Sequence, residues 1–220
     1  MPVAVINGRS VLYAHIPKTG GSSVERYLSR HGSVFLRGNG RGAGLRCSAQ
    51  HLHAEALAAI DAAEGHDWSF TIVRHPVARL VSEYRYQMRK PGLLRSRLSF
   101  SGWLSYALSR RALDPWYRDN HFRPQHEFVL PGMETMRFED GVDSCLRRIG
   151  ERLGTPAPAT PIREKPSPDV PLVLTARALA RIGETYARDF ADFGYGRDEA
   201  SLLGAGIRPD MLANRPRRKG

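Results

Sequence analysis

The residues best suited to chemistry form one short loop, Pro17-Lys18-Thr19-Gly20-Gly21-Ser22-Ser23, between a predicted strand and a predicted helix. Paired glycines let the backbone approach an anion closely, and the helix that follows points its first N–H groups and positive dipole end at that anion. The hydroxyl groups add donors and the lysine adds a mobile positive charge. These features predict a phosphate-binding loop. The alternative is a glycine turn with a serine helix cap.

A second strand-to-helix corner repeats this plan further along the chain. Arg74 follows the apolar run 68–73, and Pro76 begins a helix on which Arg79 and Ser82 lie three residues apart, opposite the apolar stripe. Open α/β sheets bind ligands at the carboxyl ends of their strands, where Arg74 is expected. A guanidinium and a hydroxyl could hold one more phosphate. Two such corners suit a nucleotide phosphorylated at two separate places, whereas taken alone Arg74 and Ser82 are equally typical of surface residues.

These segments resemble a known family. HIPKTGGSS (15–23) resembles the 5′-phosphosulfate loop of carbohydrate sulfotransferases that use 3′-phosphoadenosine 5′-phosphosulfate (PAPS), and TIVRHPVARLVSEY (71–84) resembles their 3′-phosphate motif. QHLHAEAL, HFRPQHEFVL, MRFED and YARDFADFGY are also similar to segments of that family, so the resemblance covers about residues 10–196. Because the sequence shows no membrane anchor like that of Golgi-resident relatives, the resemblance implies a soluble, bacterial-type member of sulfotransferase family 2.

The resemblance implies where the donor nucleotide binds. The 5′-phosphosulfate contacts would come from the loop, and the 3′-phosphate contacts from Arg74 and Ser82, with Arg79 in the same motif. The donor would be PAPS and the nucleotide product 3′,5′-bisphosphoadenosine (PAP). One departure concerns residues 163–167, Arg-Glu-Lys-Pro-Ser, which stand where relatives often carry an Asn-Ser pair.

Transfer of a sulfuryl group to a hydroxyl requires a base, and histidine is the natural choice near neutral pH. His51 and His53 lie just before a helix, between the two phosphate motifs. The resemblance favours His51, and His53 is the second candidate because many relatives have a proline there. The expected reaction is in-line displacement at sulfur, with Lys18 and the loop N–H groups neutralising charge on the departing 5′-phosphate. This scheme needs no metal.

The acceptor is expected to be a carbohydrate or glycoconjugate, possibly anionic. Its candidate contacts are His121 and Arg123, in a segment rich in hydrogen-bonding side chains, and the Gly/Arg-rich loop from Arg37 to Arg46. The alternative for residues 119–126 is a polar connection stabilised by Pro124. Trp116 and Tyr117 could stack on a sugar ring, whereas Trp103 lies in a helical stripe typical of core.

Composition leaves four classes of partner open. The net charge of +11 and pI near 10.2 indicate an anionic partner but do not choose between nucleotide, acidic glycan, nucleic acid and membrane surface. A P-loop phosphotransferase is the first alternative function. It would need a loop lysine in the Walker A order and a magnesium-binding acidic residue after a strand, whereas here Lys18 precedes the glycines and Arg74 follows the strand. A nucleic-acid-binding module is the second, although basic and aromatic residues do not interleave.

Cys47 and Cys145 are expected to be free, buried thiols.

The pattern of elements predicts a single α/β domain of P-loop type, with three layers and a central, mainly parallel sheet flanked by helices. Asn7-Gly8 predicts a hairpin, and the periodicity predicts helices over 142–153 and 175–193. The sulfotransferase domain is expected to span 1–200 and a basic tail 201–220. Without an apolar run of about 20 residues or a secretory signal, we expect a soluble, cytoplasmic protein.

Overall fold

The hairpin predicted from Asn7-Gly8 begins the sheet. Strands β1 (Val3–Ile6) and β2 (Arg9–Ala14) are antiparallel, with Ile6 opposite Arg9. The two turn residues have φ of 49° and 75°. Two positive φ angles are what a two-residue hairpin turn requires, and asparagine and glycine accept them at the lowest cost. The prediction is therefore confirmed.

The computed structural model describes residues 1–38, 40, 44–60, 62–89, 98–158, 160 and 170–212. Their contacts divide the chain into two compact units. The first unit comprises Met1–Arg74 and Pro115–Pro166, and the second His75–Asp114 and Ser167–Gly220. The sheet and the phosphate-loop candidate belong to the first unit, and most of the helices belong to the second.

The sheet of the first unit has five strands among the described residues, in the order β3-β1-β2-β4-β5. β3 (Ser33–Phe35) is antiparallel to β1, whereas β4 (Trp68–Val73) is parallel to β2 and β5 (Glu134–Arg137) is parallel to β4. The expectation of a mainly parallel sheet is therefore wrong. The hairpin and the short strand after helix α1 make half of the pairings antiparallel, so the sheet of this α/β fold is mixed.

Helices α1 (Gly21–His31), α2 (Ala54–Ala58) and α5 (Val142–Leu153) complete the first unit. Its core includes Val24 and Leu28 from α1, Phe70 from β4, and Leu146 and Ile149 from α5, all fully buried. α5 has the bounds that its apolar spacing predicts. Burial of these apolar faces against the sheet fixes α1, and with it the loop that precedes α1.

The second unit is helical. It contains α3 (Pro76–Met88), α4 (Phe100–Leu113), α6 (Ala176–Thr185), α7 (Ala187–Asp192) and α8 (Glu199–Gly204). The helix predicted over 175–193 is interrupted at Tyr186, whose φ of −113° and ψ of 26° are not helical. Trp103 is a core residue, as expected, and its indole N–H donates to the Gln87 side chain over 3.1 Å.

Residues 201–212, at the start of the segment predicted as a basic tail, fold as part of the second unit. The proposed boundary falls inside α8, and Leu202, Ile207 and Met211 are buried. A parallel bridge joins Leu174 to Leu212. The basic residues 214–220 lie outside the described part of the chain.

Two further predictions from the sequence concern the cysteines and membrane-spanning segments. Cys47 and Cys145 are buried, as expected, and neither forms a disulfide bond among the described residues. Burial raises the pKa of the Cys145 thiol to about 11. No helix among the described residues combines the length and the apolar character needed to cross a membrane.

Candidate functional site

The predicted phosphate loop connects β2 to α1. Lys18 and Gly20 have left-handed backbones, with φ of 71° and 85°. Thr19 is fully buried and its hydroxyl donates to the carbonyl of Ile16 over 2.8 Å, so this hydroxyl holds the loop itself. The first turn of α1 contains no acidic residue. A turn of this form at the start of an 11-residue helix fits an anion, because the helix N-terminus provides N–H donors and a positive dipole end.

Gly21 is required because of a histidine. A Cβ added at this position would lie 2.0 Å from Nε2 and 2.1 Å from Cδ2 of His15, so the imidazole ring of His15 packs directly on the glycine backbone. Nδ1 of the same ring is 2.5 Å from a carboxylate oxygen of Glu25, on α1. The His15–Glu25 pair therefore packs against the predicted phosphate loop at Gly21.

Arg74 lies at the carboxyl end of β4 and reaches the phosphate loop. Its Nη1 donates to the carbonyl of Lys18 over 3.2 Å, and its guanidinium lies 4.1 Å from the centroid of the Phe138 ring. The buried amide of Gln125 pairs with the Arg74 backbone, accepting from its N–H at 2.9 Å and donating to its carbonyl at 2.7 Å. The Arg74 guanidinium therefore lies against the backbone of the predicted phosphate loop, and its assignment to a 3′-phosphate stays a prediction.

Arg79 and Ser82 belong to the second unit and are both buried. Burial lowers the pKa of Arg79, and Tyr186, Asp189 and Glu83 act in the opposite direction. Asp189 and Glu83 are carboxylates, so opposite charges near the buried Arg79 guanidinium favour its charged form. The assignment of Arg79 and Ser82 to a 3′-phosphate stays a prediction.

His51 is the centre of a second group of polar side chains in the first unit. It ends a 3₁₀ turn (Ala49–His51) and is buried, and its Nδ1 lies 2.7 Å from a carboxylate oxygen of Asp119. Its ring meets the rings of His15 and His121 edge-on, with centroid distances of 5.0 Å and 5.1 Å. Because His15 also packs on Gly21, one imidazole connects His51 to the phosphate loop.

The residues that hold His51 come from an unusual turn. Arg118, Asp119 and Asn120 have consecutive left-handed backbones, with φ of 55°, 59° and 62°. Such a conformation costs about 1–2 kcal/mol for most side chains, less for Asp and Asn. The Asp119 carboxylate accepts from the Ser48 N–H at 2.5 Å and from its hydroxyl at 2.7 Å. The Asn120 amide donates to the carbonyl of His51 at 2.9 Å, so both the ring and the backbone of His51 are fixed.

The protonation states of this pair follow from burial and hydrogen bonding. Burial lowers the pKa of His51 to about 3, against the opposing effect of the hydrogen bond to Asp119. Burial would raise the pKa of Asp119, but the hydrogen bonds from His51 and Ser48 outweigh it and hold that pKa well below its usual value. At neutral pH a neutral imidazole therefore faces an ionised carboxylate.

The same residues offer ligand atoms for a metal ion. One such atom from each of His51, Asp119 and His121 lies within 4.8 Å of the others. However, Nδ1 of His51 and the Asp119 oxygen are only 2.7 Å apart, whereas two ligands of a tetrahedral zinc ion are separated by about 3.3 Å. The distance is that of a hydrogen bond, so we describe the pair as an imidazole that donates to a carboxylate.

His53, the second candidate base, has different surroundings. Its buried ring packs edge-on against Trp116, with a centroid distance of 4.8 Å, and Nε2 lies 3.7 Å from the exposed carboxylate of Glu55. Its Nδ1 is buried and makes no hydrogen bond within the part of the chain that the structure describes. Burial and the nearby Arg123 lower its pKa. Among the described residues, no carboxylate lies as close to the His53 ring as Asp119 lies to that of His51.

The residues predicted to contact the acceptor differ in burial and in their hydrogen bonds. His121 is half-buried beside His51, whereas Arg123 is buried and bonded to the side chains of Asn120 and Glu127 and to the carbonyl of Pro115. Arg46 and Arg123 both lie near the Trp116 ring, at 5.6 Å and 5.3 Å from its centroid. The loop from Arg37 to Arg46 is described only in part, and residues 163–167 lie outside the described chain.

Three residues that contact the candidate site received no individual role from the sequence: Glu25, Asp119 and Gln125. Asp119 is 68 residues from His51, and Gln125 is 51 residues from Arg74. The one signal for two of them is the run Asp119–Gln125, in which many hydrogen-bonding side chains fall in a single loop.

The family comparison agrees with this geometry. Residues 3–152, which contain the predicted phosphate loop, Arg74, His51 and Asp119, match a family model described as Sulfotransferase family. No curated protein and no solved structure matches the chain significantly. The match extends over more than half of the chain. The protein therefore belongs to sulfotransferase family 2.

Proposed function

We propose that the protein transfers the sulfuryl group of PAPS to a hydroxyl of a carbohydrate or glycoconjugate. The observation that carries the proposal is the connection of His51 to the loop before α1 through His15, which packs on Gly21 and faces His51. A neutral base and an anion-binding loop joined in this way suit transfer from an anionic donor to a hydroxyl.

The loop is proposed as a P-loop-type site for the 5′-phosphosulfate, held by Lys18, Thr19, Gly20, Gly21, Ser22 and Ser23. The donor supplies an electrophilic sulfur bonded to a phosphate leaving group. Lys18, half-buried in this loop, would neutralise the charge that develops on the bridging oxygen.

His51 is proposed as the base. In the transfer the acceptor oxygen forms a bond to sulfur, the bond between sulfur and the 5′-phosphate oxygen breaks, and its electron pair stays with the bisphosphate product. The acceptor proton goes to His51. Because Asp119 occupies Nδ1, the nitrogen available to the acceptor hydroxyl is Nε2. Among the predicted acceptor contacts, His121 has its ring directly beside that of His51.

Arg74 is proposed to bind the 3′-phosphate. Arg74→Ala is expected to weaken binding of 3′,5′-bisphosphoadenosine far more than that of 5′-AMP, because only the former has the phosphate in question. Calorimetry measures the affinity of both variants for each ligand, and the two losses of affinity are then compared. Loss of the bond to the Lys18 carbonyl would weaken both ligands alike, so equal losses would remove the 3′-phosphate assignment and leave Arg74 as a support of the loop.

The reaction itself is tested with donor labelled by sulfur-35 and a panel of acceptors. The panel includes neutral glycans, uronic-acid-containing glycans, glycopeptides and small sugars. Label is expected to move to at least one carbohydrate hydroxyl without added metal, and the net charge of +11 favours the anionic members. Transfer of phosphate from labelled ATP to these acceptors, with none from the sulfur donor, would contradict the proposal.

A further inference from the structure

We propose that Asp119 is a positioning residue for the transfer reaction: it fixes the Nδ1–H tautomer of His51, so that the Nε2 lone pair faces the acceptor hydroxyl. The inference rests on the proposed role of His51 as base. It adds a residue 68 positions away in the chain and a defined location for the imidazole proton.

The argument begins with what each atom of Asp119 touches. One carboxylate oxygen accepts from the Ser48 N–H, and the other accepts from the Ser48 hydroxyl and lies 2.7 Å from Nδ1 of His51. A carboxylate can only accept hydrogen bonds, so the imidazole nitrogen that faces it carries the proton. A neutral imidazole has one N–H, which leaves Nε2 as the lone-pair nitrogen.

The turn that carries Asp119 is built for this contact. Three consecutive left-handed residues, 118–120, occur where the side chains of Asp119 and Asn120 hold the ring and the carbonyl of His51. Strained backbone of this kind persists when surrounding contacts determine it, and it is concentrated at functional sites. The rings of His15 and His121 lie edge-on to His51 and leave Asp119 as the one carboxylate bonded to its ring among the described residues.

The proton location can be measured without any substrate. Long-range ¹H–¹⁵N spectra of protein labelled in histidine distinguish the two neutral tautomers, and the signals of His51 are assigned by their loss in His51→Gln. At pH 7 we expect the Nδ1–H tautomer. The Nε2–H tautomer, or an imidazolium, in the unmodified protein would overturn the inference.

Asp119→Asn tests the consequence for turnover. The amide oxygen can still accept from the Ser48 N–H, which turns the amide NH₂ towards His51 and makes Nδ1 the acceptor. The proton then moves to Nε2, the nitrogen needed as base. We expect the tautomer to switch and kcat to fall on the order of 10²–10⁴-fold, as the loss of a comparable carboxylate does in other enzymes, with KM for the donor nearly unchanged.

Asn120→Ala is the matched control, because it loosens the backbone of His51 from the same turn without touching the ring. It is expected to keep the Nδ1–H tautomer and to lose much less turnover than Asp119→Asn. Equal losses in both variants with an unchanged tautomer would overturn the positioning role. If the unmodified protein shows the expected tautomer but transfers no sulfuryl group, the proposed function fails and the inferred proton location stands.

Discussion

Replacement of Lys18 by alanine is expected to lower the rate of sulfuryl transfer on the order of 10²–10³-fold, the usual cost of removing one group that stabilises transition-state charge. Lys18 is the one residue of the loop that carries a full positive charge. Its left-handed backbone, with φ of 71°, is as demanding for alanine as for lysine, so the fold should be kept. Single-turnover assays with labelled donor measure the rate, and thermal unfolding checks the fold.

The matched control is Arg30→Ala, which removes one positive charge from the exposed last turn of α1. The helix separates this residue from the loop by about 14 Å, at 1.5 Å per residue. Turnover of this variant should stay close to that of the unmodified protein. If Lys18→Ala is fully active, or if both variants lose activity equally, the charge of Lys18 has no specific role in transfer.

Replacement of His51 by alanine is expected to reduce kcat on the order of 10²–10⁴-fold with nearly unchanged binding of bisphosphoadenosine, because a base acts on the acceptor and not on the nucleotide. His53→Ala serves as the control, since it removes a buried imidazole only two residues away. Steady-state kinetics and calorimetry separate the two effects. Should His53→Ala lose turnover while His51→Ala keeps it, the two histidines must exchange roles.

The pH dependence follows from the environment of His51. Its pKa in the folded protein is lowered from 6.5 to about 3 by burial. Between these values the unfolded chain binds a proton that the folded protein does not, so this group makes the fold less stable as pH falls from 6.5 towards 3. The acidic limb of kcat/KM, where the free enzyme loses its base, is likewise expected well below pH 6.5, and a limb at or above 6.5 would contradict a buried, neutral His51.

Much of the fold could be predicted because its signals are local. Asn7-Gly8 specifies its own turn, the apolar run 68–73 is a strand with those bounds, and Pro76 begins α3. The sheet was harder, because β3 has only three residues and its pairing with β1 depends on where α1 ends. The break at Tyr186 interrupts a helix whose apolar spacing continues through both halves, so periodicity alone does not reveal it.

The candidate site likewise combines features with local sequence signals and features that depend on residues distant in the chain. The loop before α1 and the position of Arg74 follow from strand-to-helix corners that are contiguous in the sequence. The partners of the histidines do not, because Asp119 meets His51 only when the left-handed turn and the 3₁₀ turn pack together. The Arg123 side chain pairs with Glu127, a contact that the sequence did not indicate, and its role as an acceptor contact stays a prediction.

The most direct test of the central claim is titration calorimetry of the purified protein with 3′,5′-bisphosphoadenosine and, separately, with ATP and Mg²⁺. A loop that binds the 5′-phosphate, together with a second anion contact for the 3′-phosphate, should give clear binding of bisphosphoadenosine without metal and much weaker binding of ATP. Binding of ATP with Mg²⁺ and none of bisphosphoadenosine would contradict the account.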